Sequence, residues 1–259
     1  MKKQAAYGNE SISSLKGADR VRKRPAVIFG SDGIEGCEHS IFEILSNSID
    51  EAREGYGSRI IVTRYEDQSV EVEDFGRGIP VDYNTKEQRF NWELLFCELY
   101  AGGKYNNDAD ESYEYSLDLN GLGLCSTQYA SEYMDVDIRR DGVQYLLHFE
   151  KGENVGGLKK ESYTKKDTGT RIRWKPDLEV FTDIHVPVEY FLDIIKRQAI
   201  VNDGVTFVFR NQVGNQFETT EFCYQNGIVD HVKEIAGEDA LTSVQFWQTE
   251  RKVRDRDDK

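Results

Sequence analysis

Three polar residues share one face of a segment whose other positions must pack in a core. Glu43, Asn47 and Asp50 are four and three residues apart, so an α-helix aligns them on one stripe, with His39 a turn earlier. The other positions are apolar and include Ile41, Phe42, Leu45, Ile49 and Ala52. Two carboxylates and an amide on such a helix are costly unless a ligand or metal uses them. The alternative is an amphipathic helix whose polar stripe faces solvent.

An aspartate before a glycine turn is the second candidate. Asp74 follows an alternating strand and begins Asp-Phe-Gly-Arg-Gly, in which Gly76 and Gly78 allow a tight turn beside a flat ligand. A buried carboxylate there can accept a hydrogen bond from an exocyclic amine such as that of adenine. The alternative is a turn closed by the aspartate side chain itself.

Two glycine-rich segments could contact phosphate. Ala101–Lys104 offers flexible backbone and one ammonium group, and Asn120–Gly123 precedes a predicted helix whose first N–H groups attract anions. Neither segment has the composition of a P-loop. The whole stretch from Ala101 to Gly123 lacks periodicity, which is typical of a functional lid or binding loop.

The surrounding pattern predicts the elements that must position these groups. Apolar periodicity predicts one helix from about Ile34 to Tyr56, and alternation predicts strands at Arg59–Thr63 and Ser69–Glu73. Further predicted helices are Ser14–Arg22, Trp92–Tyr100, Leu124–Ala130, Pro187–Val201 and Gly227–Ala236. Further predicted strands are Tyr133–Arg139, Gln144–Glu150, Lys159–Thr164, Thr170–Lys175, Val205–Arg210, Gln216–Phe222 and Ser243–Thr249.

Composition narrows the functional class. The net charge of −14 argues that these 259 residues grip DNA weakly if at all, because phosphate binding needs clustered Lys and Arg. The four cysteines are far apart with no C-x-x-C pair, which disfavours a zinc site or a disulfide framework and indicates a cytoplasmic protein. No apolar run is long enough to cross a bilayer, so we expect no membrane association.

The order of the motifs resembles the ATPase fold shared by gyrase, heat-shock chaperones, histidine kinases and mismatch-repair proteins. The shared motifs are E-x-x-x-N-x-x-D from Glu43, D-x-G-x-G from Asp74, A-G-G-K-Y from Ala101, N-G-L-G from Asn120 and T-G-T from Thr168. The flanking residues are more specific and are V-R-K-R-P at Val21–Pro25, I-D-E-A at Ile49–Ala52, G-R-G-I-P at Gly76–Pro80 and T-G-T-R-I-R-W at Thr168–Trp174. From about Tyr7 to about Phe222 they resemble the N-terminal, GHKL-type ATPase region of the B subunit of bacterial DNA gyrase or topoisomerase IV.

The resemblance implies an α+β fold of the GHKL (Bergerat) type. This fold is a two-layer α/β sandwich, in which helices cover one face of a mixed, mostly antiparallel sheet. It implies three parts: an N-terminal arm over residues 1–18, an ATPase domain over 19–222, and the beginning of an incomplete transducer domain over 223–259.

The resemblance also assigns roles in ATP hydrolysis with Mg²⁺. Glu43 would be the general base that polarises water for attack on the γ-phosphate, and His39 would orient it. Asn47 would hold the magnesium. Asp74 would receive the adenine amine with help from Thr170.

Further groups would surround the nucleotide. Ile79 and Ile172 would line the adenine ring, Arg77 and Pro80 would form the floor of its pocket, and Arg140 would lie at the mouth. The nucleotide-binding set is Asn47, Asp50, Glu51, Asp74, Arg77, Gly78, Ile79, Pro80, Lys104, Leu119, Asn120, Gly121, Leu122, Gly123, Arg140, Thr170, Ile172, Tyr7 and Ile12. In this set Lys104 and the backbone of 119–123 would cradle phosphate, whereas Tyr7 and Ile12 would reach the nucleotide site of a second copy of the chain in a homodimer.

Two departures from the family pattern affect the expected activity. Leu117 and Asp118 replace two glycines, and Glu114 replaces a lysine, which adds negative charge near the expected phosphates. In the family, a lysine of the following domain contacts the γ-phosphate. The sequence also ends before that domain is complete. We therefore expect that this chain binds ATP but hydrolyses it slowly, and that it is mainly monomeric.

Three functional classes remain open from the sequence. The first is the ATP-hydrolysing gate of a type II DNA topoisomerase, which dimerises on ATP, works with an A subunit and passes one DNA duplex through another. The second is a nucleotide-binding switch with little hydrolysis. The third is another branch of the fold, a mismatch-repair-type ATPase or a histidine kinase, although V-R-K-R-P and T-G-T-R-I-R-W favour the first.

Overall fold

The computed structural model describes residues 15–100, 122–238, 240–247 and 249. The helices in these ranges are α1 (Asp19–Arg22), α2 (Pro25–Phe29), α3 (Ile34–Arg53), α4 (Asn91–Cys97), α5 (Gly123–Tyr129), α6 (Val188–Val201) and α7 (Ile228–Ala236). The strands are β1 (Arg59–Arg64), β2 (Val70–Asp74), β3 (Tyr83–Asn84), β4 (Arg89–Phe90), β5 (Ser131–Arg140), β6 (Val143–Glu150), β7 (Glu153–Asn154), β8 (Lys159–Ser162), β9 (Gly169–Pro176), β10 (Thr206–Val213) and β11 (Gln216–Phe222).

One large mixed sheet organises the described part of the chain. Its order is β11-β10-β1-β2-β9-β5-β6-β7, with β8 also paired to β6. The β1–β10 pair is parallel, whereas the other pairs in this sheet are antiparallel. The α+β class and the mostly antiparallel sheet predicted from the sequence are confirmed.

The two faces of the sheet differ in chemistry. Along β2, Val70 and Val72 are buried, whereas Glu71 and Glu73 between them are partly exposed. The apolar face packs against α3, which contacts β1, β2 and β9, and against α6, which contacts β10. The opposite face, which we call the open face, carries charged side chains.

Helix α3 carries the predicted functional stripe. It has apolar residues at helical spacing, and Ile41, Ile44, Leu45 and Ile49 are all at most 2 % exposed. The helix ends at Arg53, earlier than the predicted Tyr56. The chain leaves it through Gly55, whose φ of +83° favours glycine.

Pro25 begins a helix, although the sequence predicted only that it would end one. Proline is tolerated at a first helical position because its missing N–H would have no partner there. The described part of the predicted helix Ser14–Arg22 is helical only over Asp19–Arg22.

Arg22 ties this N-terminal segment to the end of β9. Its Nη1 donates to the carbonyls of Tyr129 and Ser131 at 3.1 and 3.3 Å, and its Nη2 lies 2.6 Å from an Asp177 carboxylate oxygen. The Arg22 side chain is 13 % exposed and that of Asp177 only 6 %.

Replacing Arg22 by glutamine is expected to lower the free energy of unfolding by about 3 kcal/mol, because it leaves a buried carboxylate without its cation. Urea denaturation measures the change. Lys23→Gln is the matched control, since its pair with Asp19 is more than half exposed and should contribute less than about 0.5 kcal/mol. Equal losses in the two variants would contradict a buried anchor at Arg22.

Two further parts of the structure differ from the sequence prediction. The strand predicted at Ser243–Thr249 is wrong, because the described residues there form no strand. The β3–β4 hairpin was not predicted, because its two-residue strands are too short to show alternation. Residues 228–236 form α7 as predicted, and their assignment to a transducer domain remains a prediction.

Within the described ranges, every helix is too short or too polar to span a membrane.

Candidate functional site

Asp74 ends β2 as a buried carboxylate surrounded by donors. Its Oδ1 accepts from the backbone N–H groups of Gly76 and Thr170 at 3.0 and 3.2 Å, and its Oδ2 accepts from the Ser48 hydroxyl at 2.9 Å. The residue is 5 % exposed. Burial raises the pKa of Asp74, and the three donors oppose that rise. A buried acceptor is therefore held in a fixed orientation where β2, β9 and α3 meet.

The turns beside Asp74 approach each other too closely for side chains. A Cβ at Gly169 would collide with the Asp74 carbonyl oxygen, and one at Gly78 would lie 2.8 Å from the Arg139 carbonyl oxygen. The Thr168 hydroxyl donates to the Gly76 carbonyl at 2.5 Å, and the N–H of Ile79 donates to the Thr170 hydroxyl at 3.2 Å. The D-x-G-x-G and T-G-T motifs therefore form one interlocked unit.

A cavity of about 280 Å³ opens beside this unit. Its lining residues come from α3 and the residue that follows it, the G-R-G-I-P segment, α4, α5 and β5. They are Asn47, Asp50, Glu51, Glu54, Arg77, Gly78, Ile79, Pro80, Leu95, Leu124 and Arg140. Asp74, Thr170 and Ile172 are not among these lining residues and are at most 5 % exposed. The cavity thus joins Asn47 of the polar stripe to the turn that covers Asp74.

A larger hollow of about 590 Å³ lies on the open face. Two pairs of its charged residues are in contact with one another, Arg171 with Asp137 at 2.7 Å and His148 with Asp135 at 2.6 Å. We assign the candidate site to the smaller cavity because the sequence motifs converge there.

Two arginines fix the rim of the cavity. The Arg77 guanidinium donates twice to Glu51, at 2.8 and 3.1 Å, and lies 3.8 Å from the centre of the Tyr56 ring. Arg140 donates to the Gly78 carbonyl at 2.7 Å. These bonds hold the G-R-G-I-P segment against α3 and β5.

The polar stripe of α3 forms as predicted. The Nε2 atom of His39 lies 2.9 Å from Oε1 of Glu43. The amide nitrogen of Asn47 donates to the Glu43 carbonyl at 2.8 Å, so its Oδ1 keeps its acceptor capacity, which suits a hard cation. Asp50, by contrast, is 7 % exposed, although it contributes to the cavity lining.

The His39–Glu43 pair should make stability depend on pH. Its hydrogen bond and charge raise the pKa of His39 above the ordinary 6.5. The pair therefore stabilises the fold fully below about pH 6.5, and this stabilisation is lost as the pH rises through the raised pKa. The free energies of unfolding of the wild type and of His39→Gln, measured with urea, should differ most at low pH. They should converge as the pH rises through the raised pKa of His39. A difference that is constant with pH would contradict the pairing.

Several predicted site residues lie outside the described residues: Tyr7, Ile12, Lys104, Leu119, Asn120 and Gly121, together with the acidic substitutions at Glu114 and Asp118. Leu122 is described just before α5, which Gly123 begins. The phosphate-binding and arm assignments therefore remain predictions.

Several residues of the site were not predicted from the sequence, among them Ser48, Glu54, Leu95 and Leu124. Ser48 stands beside Asn47 and is a buried polar residue on a core-facing helix position, a signal that could have identified it as a partner of Asp74. Leu95 and Leu124 carry no chemical signal, since they are apolar residues of helices that line the cavity.

The described residues contain no cluster of three or more His, Cys, Asp or Glu side chains suited to a metal. Mg²⁺ is commonly held in proteins through one or two side chains together with substrate phosphates and water. Asn47 supplies an oxygen of the appropriate kind at the cavity wall.

Comparison with protein families gives a match over most of the described site. Residues 34–180 match the family described as histidine kinase-, DNA gyrase B-, and HSP90-like ATPase. The matched range includes α3, the glycine turn and the T-G-T segment.

Curated relatives extend the match along the chain. The DNA gyrase B subunit of Thermotoga maritima is 37 % identical over 249 residues, which cover 96 % of this chain and 38 % of that protein. The DNA topoisomerase 4 B subunit of Enterococcus faecalis is 35 % identical over 93 % of this chain and 35 % of that protein. The chain thus spans little more than a third of the length of these relatives.

Solved structures agree in fold as well as in sequence. The 43K ATPase domain of Thermus thermophilus gyrase B, solved with an aminocoumarin, has a TM-score of 0.72 at 30 % identity, and the match covers 86 % of this chain and 56 % of that one. The topoisomerase IV ATP-binding domain of Francisella tularensis has a TM-score of 0.71 at 30 % identity, and the match covers 91 % of this chain and 62 % of that one. The chain therefore belongs to the histidine kinase-, DNA gyrase B- and HSP90-like ATPase family.

Proposed function

We propose that the chain is the ATP-binding and ATP-hydrolysing region of the B subunit of a type II DNA topoisomerase. The observation that carries the proposal is the buried Asp74 acceptor, held by Gly76, Thr170 and Ser48 at the start of the glycine turn that lines a cavity together with α3. Similarity to the B subunits of gyrase and topoisomerase 4 over more than 90 % of the chain supports this choice within the family.

Asp74 reads the base in this proposal. A carboxylate accepts hydrogen bonds and donates none, so it suits the exocyclic amine of adenine and disfavours the carbonyl that guanine has at that position. Thr170 assists, since its hydroxyl accepts from the Ile79 N–H and keeps a proton to donate to a ring nitrogen. Ile79 and Pro80 at the cavity wall supply apolar contact for the ring.

Glu43 removes a proton from the attacking water. Its carboxylate is 23 % exposed, so water can reach it, and the contact with His39 fixes its orientation. Phosphoryl transfer depends mainly on positioning and charge stabilisation, to which a base on a rigid helix contributes directly. Asn47 would hold a Mg²⁺ ion, which neutralises phosphate charge when bound.

Calorimetric titration with a non-hydrolysable ATP analogue and Mg²⁺ tests the proposal. We expect one analogue bound per chain and slow phosphate release from ATP. Absence of binding would contradict the proposal.

The whole protein would use this region as an ATP-driven gate. In the proposal two copies of the chain dimerise through their N-terminal arms when ATP binds, an A subunit completes the enzyme, and DNA is handled mainly outside this acidic region. Four free cysteines suit the reducing cytoplasm, which we propose as its compartment.

A further inference from the structure

Arg139 links two parts of the site from the opposite side of the sheet. It lies near the end of β5, and its Nη2 donates to Glu73 of β2 at 2.9 Å while its Nη1 donates to Asp167 at 3.0 Å. Because β9 lies between β5 and β2, the side chain must cross β9 to reach Glu73. We call Glu73, Arg139 and Asp167 the open-face clamp.

Each carboxylate of the clamp lies next to a residue of the site. Glu73 precedes Asp74, and successive residues of a strand point to opposite faces, so holding Glu73 on the open face directs Asp74 toward the cavity side. Asp167 precedes the Thr168-Gly169-Thr170 turn, which supplies the N–H bound to Asp74 and the hydroxyl bound to Ile79.

The clamp is itself held firmly. The Arg139 side chain is 12 % exposed and that of Glu73 20 %. The Tyr163 hydroxyl donates to Asp167 at 2.9 Å, and the centre of the Phe75 ring lies 5.7 Å from the guanidinium carbon. The Nε of Arg139 is buried and has no hydrogen-bond partner among the described residues, a cost that the two carboxylates must offset.

The backbone of Arg139 also contacts the site directly. Its carbonyl oxygen would lie 2.8 Å from a Cβ at Gly78, so the glycine turn rests against β5 at this residue. Side chain and backbone of Arg139 therefore fix the spacing between the turn after Asp74 and the turn before Thr170.

We propose that Arg139 is a positioning residue for base recognition, acting through Glu73 and Asp167 on the geometry of Asp74 and Thr170. The inference rests on the proposed function, because it presumes that Asp74 reads adenine. Arg139 is not among the residues that line the cavity, so any effect on the base must pass through the residues it holds.

Four proteins test the proposal: wild type, Arg139→Gln, Arg139→Lys and Arg171→Gln. Arg171 is the matched control, because it pairs with Asp137 at 2.7 Å on the same face of the sheet and not with the carboxylates of the clamp. Each protein is titrated by calorimetry with non-hydrolysable analogues of ATP and GTP in the presence of Mg²⁺. Urea unfolding is measured in parallel.

Arg139→Gln is expected to bind the ATP analogue about tenfold more weakly, the effect of one weakened charge-assisted hydrogen bond. Its preference for ATP over GTP should shrink by a similar factor. Arg139→Lys should recover part of both, since an ammonium can still pair with one carboxylate. Arg171→Gln should keep the wild-type affinity and preference even if it loses stability.

Two results would overturn the inference. One is an unchanged base preference in folded Arg139→Gln, and the other is an equal loss of preference in Arg171→Gln. If Arg139→Gln does not fold, Asp167→Asn takes its place, because the Asp167 side chain is 39 % exposed and its loss should still reduce the preference. A wild type that binds the analogue without preferring adenine would overturn the proposed role of Asp74 itself, a distinct outcome.

Discussion

Replacement of Glu43 by alanine is expected to reduce ATP turnover by about 10²–10⁴-fold, the usual contribution of a positioned general base. Affinity for a non-hydrolysable ATP analogue should stay within about threefold, because in its proposed role Glu43 acts on water and not on the nucleotide. Phosphate release and calorimetric titration on the same preparation measure the two quantities.

Glu35→Gln is the matched control for this experiment. Glu35 is an exposed carboxylate in the first turn of the same helix, bonded to the Ser31 hydroxyl, and its loss should leave both quantities unchanged. If the wild type shows no hydrolysis for Glu43→Ala to abolish, the chain acts as a nucleotide-binding switch. The acidic residues Glu114 and Asp118 motivate that alternative.

The Asp74→Asn variant is expected to lose about 100-fold or more in affinity for the ATP analogue while remaining folded. Its Oδ1 can still accept from Gly76 and Thr170, and the Ser48 hydroxyl can turn to accept from the new amide. The amide would then present a donor to the amine of adenine, which is itself a donor. The two groups cannot pair, and a recognition site with unpaired polar groups binds its ligand much more weakly.

Asp137→Asn controls for the general effect of neutralising a buried carboxylate. Asp137 is 9 % exposed and is bonded to Arg171 and Gln144 on the open face. Its replacement should lower stability without changing nucleotide affinity. Full analogue binding by folded Asp74→Asn would exclude Asp74 as the adenine acceptor.

Local patterns were sufficient to predict the elements that carry the site. The spacing of Glu43, Asn47 and Asp50 predicts their common stripe on α3 because helical periodicity is set within a few residues. The glycines after Asp74 predict the tight turn for a similar reason: only glycine fits the φ of +79° at Gly78 beside the β5 backbone.

Contacts between distant segments were beyond the reach of the sequence. The bond from Ser48 to Asp74 joins residues 26 apart, and Arg139 reaches Glu73 across an intervening strand. These contacts depend on strand order and register, which alternation along a single strand does not specify. The parallel pairing of β1 with β10 is a similar case, because the predicted strands gave no indication of their neighbours.

The position of β9 has a consequence for biosynthesis. This strand lies between β2 and β5, yet it is translated after both, and β10 reaches its place beside β1 later still. A nascent chain that has left the ribosome only to about residue 160 therefore exposes strand edges that have no neighbour, and such edges invite pairing with other chains. Completion of β9 closes the middle of the sheet and forms the Asp74 environment in the same event, so the candidate site forms only after β9 has been synthesised.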